Sequence, residues 1–168
     1  MAPIHFELFE AALKSEGYKV KLLRECTPKT VEIGLKHVNN DACYPSILTT
    51  GQLIESLNSG EFDKNKVALM MSQTGGGCRA TNYIGFIRKA LKDAGYENIP
   101  VISFNVAGLE KNSGFKISLK MMIKLLKACI YGDLLQTLLH KNKVYEVNKG
   151  ETIKLFDKWI EKFQLIFS

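Results

Sequence analysis

The sequence has little of what marks a membrane-spanning or secreted protein. Its longest uninterrupted apolar run, Val67 to Met71, has five residues, whereas a membrane-spanning helix needs about 20. Glu7 and Glu10 interrupt the N-terminal region, where a signal peptide would need an apolar segment. We therefore expect a soluble, cytoplasmic protein that does not bind membranes.

Cysteine is scarce, and no two of the four cysteines form a C-x-x-C pair. A chain of 168 residues can bury a core without covalent staples, so a secreted disulfide framework is not expected. A zinc ribbon is excluded because its paired ligands are missing. What remains is free thiols, or ligands gathered from distant loops: Cys26, Cys43, Cys78 and Cys129.

Arginine is also scarce. The formal net charge is +6, yet only three of the 23 basic residues are Arg, and they lie in three different predicted elements. Nucleic-acid binding favours arginines and stacking aromatics on one surface, so we expect no nucleic-acid partner. The lysines of residues 111–127 and 141–158 alternate with apolar residues at helical spacing, which is typical of the solvated faces of amphipathic helices.

The hydrophobic pattern predicts alternating helices and strands. We expect a continuous apolar strand over Val67 to Met71, a helix from Ala80 to Gly95, and a second strand over Pro100 to Val106. Such a unit is a right-handed crossover with a parallel sheet, whose ligands gather at the carboxyl ends of the strands. Further predicted elements are helices over 4–17, 30–37 and 45–58, a strand over 18–23, a helix over 117–140 interrupted at 132–133, and a last helix over 150–167.

These elements predict an α/β fold, three-layered, with a small and mostly parallel sheet flanked by helices. We place a Rossmann-like core over residues 1–108 and a helical extension, packed on the same unit, over 109–168. A doubly wound domain usually starts with a strand, whereas this chain starts with a predicted helix. We therefore expect it to be a fragment of a larger protein.

Three consecutive glycines, Gly75, Gly76 and Gly77, stand between the first of these strands and the following helix, flanked by Thr74 and Arg79. Glycines allow a loop to point several backbone N–H groups into one concavity that binds an anion. The anion could be a phosphate, the sulfurs of an iron–sulfur cluster or the Cys78 thiolate. A tight turn without a ligand is the alternative, because neither a P-loop nor a dinucleotide fingerprint is present.

Cys43 and Cys78 are each predicted where a helix begins. The positive end of a helix lowers the pKa of a thiol, which suits a nucleophile or a metal ligand, and glycine amides can donate hydrogen bonds to the sulfurs of a cluster. Cys26 is a candidate third ligand, whereas Cys129 is interpreted as a buried, inert thiol. The histidines, interpreted as surface or helix-end residues, show no tie to Cys78 that would predict a nucleophilic pair.

Three segments resemble one family. These are NNDACYP (39–45), SQTGGGCRATNY (72–83) and PVISFN (100–105), with weaker support from YGD (131–133) and YEVNKG (145–150). Together they resemble the C-terminal part of the large activase-related proteins of 2-hydroxyacyl-CoA (2-hydroxyglutaryl-CoA) dehydratases, over nearly the whole chain. The string QTGGGCRATNY is the most specific of them.

The resemblance implies a 4Fe-4S type cluster, low-potential electron transfer and anaerobic metabolism. It suggests Cys43 and Cys78 as cluster ligands beside the Gly75–Gly77 loop, with a third ligand from Cys26, from a missing portion or from a partner chain. It implies dehydratase or activase domains as partners and acyl-CoA as a ligand of the parent system. The upstream ATP-hydrolysing domains of the family are absent, so we expect no complete catalytic site here, and the isolated chain can lack the cluster.

Two alternatives remain open at this stage. The Gly75–Gly77 loop, helped by Arg79, could bind the phosphate of a nucleotide or of CoA. The chain could instead be a structural docking domain whose lysine-rich C-terminal helices meet an acidic neighbour, and a homodimer is a further arrangement that the sequence permits.

Overall fold

The structure is a computed structural model that describes residues 2–39, 41–72, 82–104 and 118–167. Contacts divide the chain into two compact units, Leu23–Phe115 and Met1–Leu22 with Lys116–Ser168, which we call the α/β unit and the helical unit. Within the described residues the fold is a helix-rich α/β fold with one small parallel sheet. No helix in those ranges combines the length and apolarity that crossing a membrane requires.

The described residues of the α/β unit form three helices and two strands. They are α2 (Pro28–His37), α3 (Tyr44–Asn58), β1 (Leu69–Ser72), α4 (Tyr83–Asp93) and β2 (Val101–Phe104). The predicted parallel pairing is confirmed, with Leu69 opposite Val101 and Ser72 opposite Phe104. The core lies where α3, α4 and the two strands meet, and its buried members include Leu57, Leu69, Ile84, Ile87 and Val101.

Helices α2 and α3 pack unusually closely because glycines line their contact. A Cβ atom added at Gly51 would lie 2.0 Å from the backbone oxygen of Thr30, and one added at Gly34 would lie 2.2 Å from that of Ile47. Beside this contact, the buried Thr30 hydroxyl donates a hydrogen bond to the Glu55 carboxylate. Backbone therefore meets backbone here, with no side chain between.

The helical unit consists of α1 (Pro3–Ser15), α5 (Leu119–Lys143) and α6 (Glu151–Phe167). Each helix contacts the other two. Helix α1 buries its apolar face, with Leu8 and Ala12 fully enclosed, and the Tyr131 ring of α5 stacks on Phe163 of α6 with centroids 4.7 Å apart. Helix α1 therefore belongs to one unit with the C-terminal helices. From the sequence we had placed it in a core of residues 1–108, apart from the helical extension of residues 109–168.

Two local predictions were wrong. Residues 18–23 form no strand; the Leu22 N–H donates to the Glu10 side chain of α1 rather than to a neighbouring strand. Helix α5 runs through Gly132 and Asp133 without interruption. A glycine inside a helix costs only about 1 kcal/mol relative to alanine, so a well-packed helix of this length tolerates it.

Candidate functional site

Cys43 occupies the N-cap position of α3, as the sequence predicted. Its backbone is extended (φ −64°, ψ 142°), and Pro45 lies in the first helical turn, where a missing N–H costs nothing. The Cys43 carbonyl accepts hydrogen bonds from both the backbone N–H and the hydroxyl of the buried Ser46, at 2.9 and 2.8 Å. The thiol is therefore held at the positive end of a 15-residue helix.

The Cys43 sulfur has a specific partner on another helix. Its Sγ atom lies 2.8 Å from the hydroxyl oxygen of Tyr83, the first residue of α4 and itself only 8% exposed. The half-buried Cys43 side chain also packs against the core of the α/β unit. Helix α4 follows β1 in the chain, so this contact joins the start of α3 to the helix of the crossover.

This environment favours the thiolate. The hydrogen bond with the Tyr83 hydroxyl is the main cause that lowers the pKa of the Cys43 thiol below its ordinary value, and hydrogen bonds from Ser46 lower it further, while partial burial opposes them. A thiolate has no proton to donate, so Tyr83 must be the donor in that state. A cysteine with a lowered thiol pKa is suited to act as a nucleophile or as a metal ligand, because both roles use the thiolate.

The structure brings none of the other candidate ligands that it describes next to Cys43. Cys78 and the loop residues Thr74, Gly75, Gly76, Gly77 and Arg79 lie outside the described residues. Cys26 is exposed in an irregular segment, directly before the Thr27 N-cap of α2. Cys129 lies in α5 and is half-buried rather than buried as we interpreted it from the sequence. Burial is the main cause that raises the pKa of its thiol, and nearby Asp133 adds to it.

The histidines differ from one another. His37 ends α2 and His140 is exposed near the end of α5, as interpreted from the sequence. His5 also lies near a helix end, but it is buried, 4% exposed, and bonded to Asp133. Within the described ranges, no three His, Cys, Asp or Glu side chains are grouped so that they could hold a metal ion.

The sequence did not reveal Tyr83 as the partner of Cys43. The tyrosine stands inside the family-like string SQTGGGCRATNY, but its position in a predicted helix suggested only a core residue. Nothing in the local pattern indicated that its hydroxyl points at a thiol 40 positions earlier. Comparison of the chain with family models, curated proteins and solved structures finds no match in any of the three.

Proposed function

We propose that this chain is an iron–sulfur redox module in which Cys43 and Cys78 bind the cluster. The observation that carries the proposal is the position of Cys43, at the N-cap of α3 with its Sγ atom 2.8 Å from the Tyr83 hydroxyl oxygen. Iron–sulfur clusters are bound by thiolates, and hydrogen bonds to sulfur tune their reduction potentials. The pKa of the Cys43 thiol is lowered, which favours the thiolate, and its sulfur has a hydrogen bond with Tyr83.

The chain order supports Cys78 as the second ligand. Cys78 stands between the end of β1 at Ser72 and the start of α4 at Tyr83. Cys78 is five positions before Tyr83, the residue that contacts Cys43, and a segment of that length spans at most about 18 Å. The carboxyl edge of a parallel sheet is also where ligands bind in α/β folds.

Each part of the module has a limited task in this proposal. A bound cluster would supply one-electron transfer at low potential. Cys43 would bind iron as a thiolate, Tyr83 would donate a hydrogen bond to its sulfur, and the Gly75–Gly77 amides would donate to the cluster sulfurs. The third ligand would come from Cys26, from a portion outside this sequence or from a partner chain. The proposal also includes a three-layer fold, dehydratase or activase domains as partners, and acyl-CoA as a ligand of the parent system.

The test is the iron and acid-labile sulfide content of the full chain after strictly anaerobic reconstitution, together with its visible absorption. We expect stoichiometric iron and sulfide in the unaltered chain, and loss of both in Cys43→Ser and in Cys78→Ser. Cys129→Ser is the matched control, because this thiol lies in the helical unit and should leave the content unchanged. A chain that takes up no iron, or a Cys43→Ser variant that keeps a full cluster, would overturn the proposal.

A further inference from the structure

Helix α5 carries apolar residues on two opposite faces. One face is buried within the helical unit and includes Met121, Leu125, Ala128 and Leu135. The opposite face is exposed, from 46% at Leu138 to 61% at Leu126. An apolar helix face normally packs against another surface, so the exposed apolar residues of α5 are a candidate binding surface: Met122, Leu126, Ile130, Leu134 and Leu138.

These five side chains, which we call the α5 ridge, recur at every fourth position. Rows of this kind are the ridges that fit into the grooves of a second helix, at a crossing angle of about 50° in the commonest class of helix packing. From Met122 to Leu138 the ridge is about 24 Å long, on a helix about 10 Å across. Contiguous apolar patches of a few hundred Å² usually mark interaction sites.

Charge indicates the character of the occupant. Helix α5 contains five lysines and one acidic residue, Asp133. At about 100° per residue, Lys127 and Lys141 lie on opposite sides of the α5 ridge. Lys120 and Lys124 pair with Glu16 of α1, whereas Lys127 and Lys141 form no ion pair with any residue that the structure describes.

This charge disfavours a second copy of the chain, because two such helices would bring like charges together at close range. An acidic partner would instead complement these two lysines. We propose that the α5 ridge binds an amphipathic helix of another protein, whose apolar face packs on the ridge while acidic residues along its two edges pair with Lys127 and Lys141. The ridge belongs to the helical unit, and its test is independent of any cluster.

Two synthetic probes test this inference with the full chain. Both are amphipathic helical peptides of about 18 residues, five turns, with an identical leucine face; one has glutamates along its edges and the other has lysines. We expect the acidic peptide to bind at least about tenfold more tightly than the basic one in fluorescence anisotropy, and the difference to shrink as salt is added.

Variants locate the binding. Leu126→Ser should weaken binding of the acidic peptide. Lys127→Glu combined with Lys141→Glu should weaken it by about five- to tenfold, and the variant should no longer bind the acidic peptide more tightly than the basic one. The matched controls are Leu35→Ser and Lys89→Glu, whose side chains are exposed on α2 and α4. Neither should change the affinity for the acidic peptide. All these side chains are exposed, and circular dichroism checks that helix content is retained.

Several outcomes overturn the inference. Equal binding of both peptides, or binding that Leu126→Ser and the lysine variants do not alter, shows that the ridge and its two flanking lysines are not the site. Self-association of the chain that Ile130→Ser abolishes identifies a second copy as the occupant. Failure of the acidic peptide to bind at all, with the chain monomeric in sedimentation equilibrium, also refutes it.

Discussion

The His5 Nε2 atom lies 3.0 Å from Asp133 Oδ1, joining the first turn of α1 to the middle of α5 across 128 positions. At the other side of the ring, Nδ1 lies 3.0 Å from the Ala2 backbone nitrogen and 3.1 Å from the Ala2 carbonyl oxygen. The ring rests against Gly132, where an added Cβ would lie 2.6 Å from its Cδ2 atom.

Replacing Gly132 with alanine should destabilise the protein although alanine favours helices. Helix propensity alone would stabilise the variant by about 1 kcal/mol. The His5 ring cannot retreat without breaking its bonds to Ala2 and Asp133, so overpacking should dominate, with a net loss of about 1–2 kcal/mol. Urea denaturation followed by circular dichroism measures the change.

Gly85→Ala is the control for that substitution. Gly85 is exposed inside α4, and no atom lies within 4 Å of its added Cβ. This variant should gain about 0.5–1 kcal/mol. If Gly132→Ala is stabilised to the same extent, the His5 contact is not as tight as described.

Gly51→Ala should separate α2 from α3. The added Cβ would lie 2.0 Å from the Thr30 backbone oxygen, an atom that no side-chain rotation can move. We expect a loss of about 2–3 kcal/mol, measured by the same urea denaturation with Gly85→Ala beside it. A free energy of unfolding close to that of the unaltered chain would mean that α2 and α3 can move apart to accommodate the added methyl group at little cost.

Tyr83→Phe should raise the pKa of the Cys43 thiol, because the hydroxyl that chiefly stabilises the thiolate is removed. The rate of iodoacetamide alkylation at Cys43, followed by mass spectrometry across pH, should move its midpoint to higher pH. Tyr44→Phe, beside Cys43 but with an exposed ring, should leave the midpoint in place. An unchanged midpoint in Tyr83→Phe would show that the hydroxyl does not act on the thiolate.

The Glu16 carboxylate should contribute to stability only above acidic pH. The Lys124 ammonium, whose Nζ lies 2.7 Å from Glu16 Oε1, is the main cause that lowers the pKa of Glu16 below its ordinary value of 4.5. A carboxyl with a lowered folded-state pKa stabilises the fold above its unfolded pKa and loses that contribution as pH falls through the folded value. Stability should therefore decrease as pH drops below 4.5.

Lys124→Met tests this assignment. The variant should be less stable at neutral pH, and the part of its acid sensitivity that comes from Glu16 should shrink. Lys127→Met, on an exposed lysine of the same helix, is the comparison and should keep the pH dependence. Parallel pH profiles for the unaltered chain and Lys124→Met would exclude the ion pair as their cause.

The local elements of this fold were largely predictable. Cys43 before α3, Pro45 in its first turn, and the parallel pair β1–β2 follow from cap chemistry and from a continuous apolar run. The tertiary contacts were not predictable. The alternating pattern of residues 18–23 lacked a strand to pair with, and the bonds of Cys43 to Tyr83 and of His5 to Asp133 join positions 40 and 128 apart.

The glycine-lined contact of α2 and α3 has a consequence for how the α/β unit opens. Backbones that meet directly, with Thr30 bonded to Glu55 beside them, should lose their protection against hydrogen exchange together, as one cooperative segment. Cys43 begins α3 and therefore belongs to that segment. The reactivity of its thiol should therefore report the opening of this segment. The opening free energy obtained from labelling of Cys43 under native conditions should equal the one obtained from amide hydrogen exchange in α2.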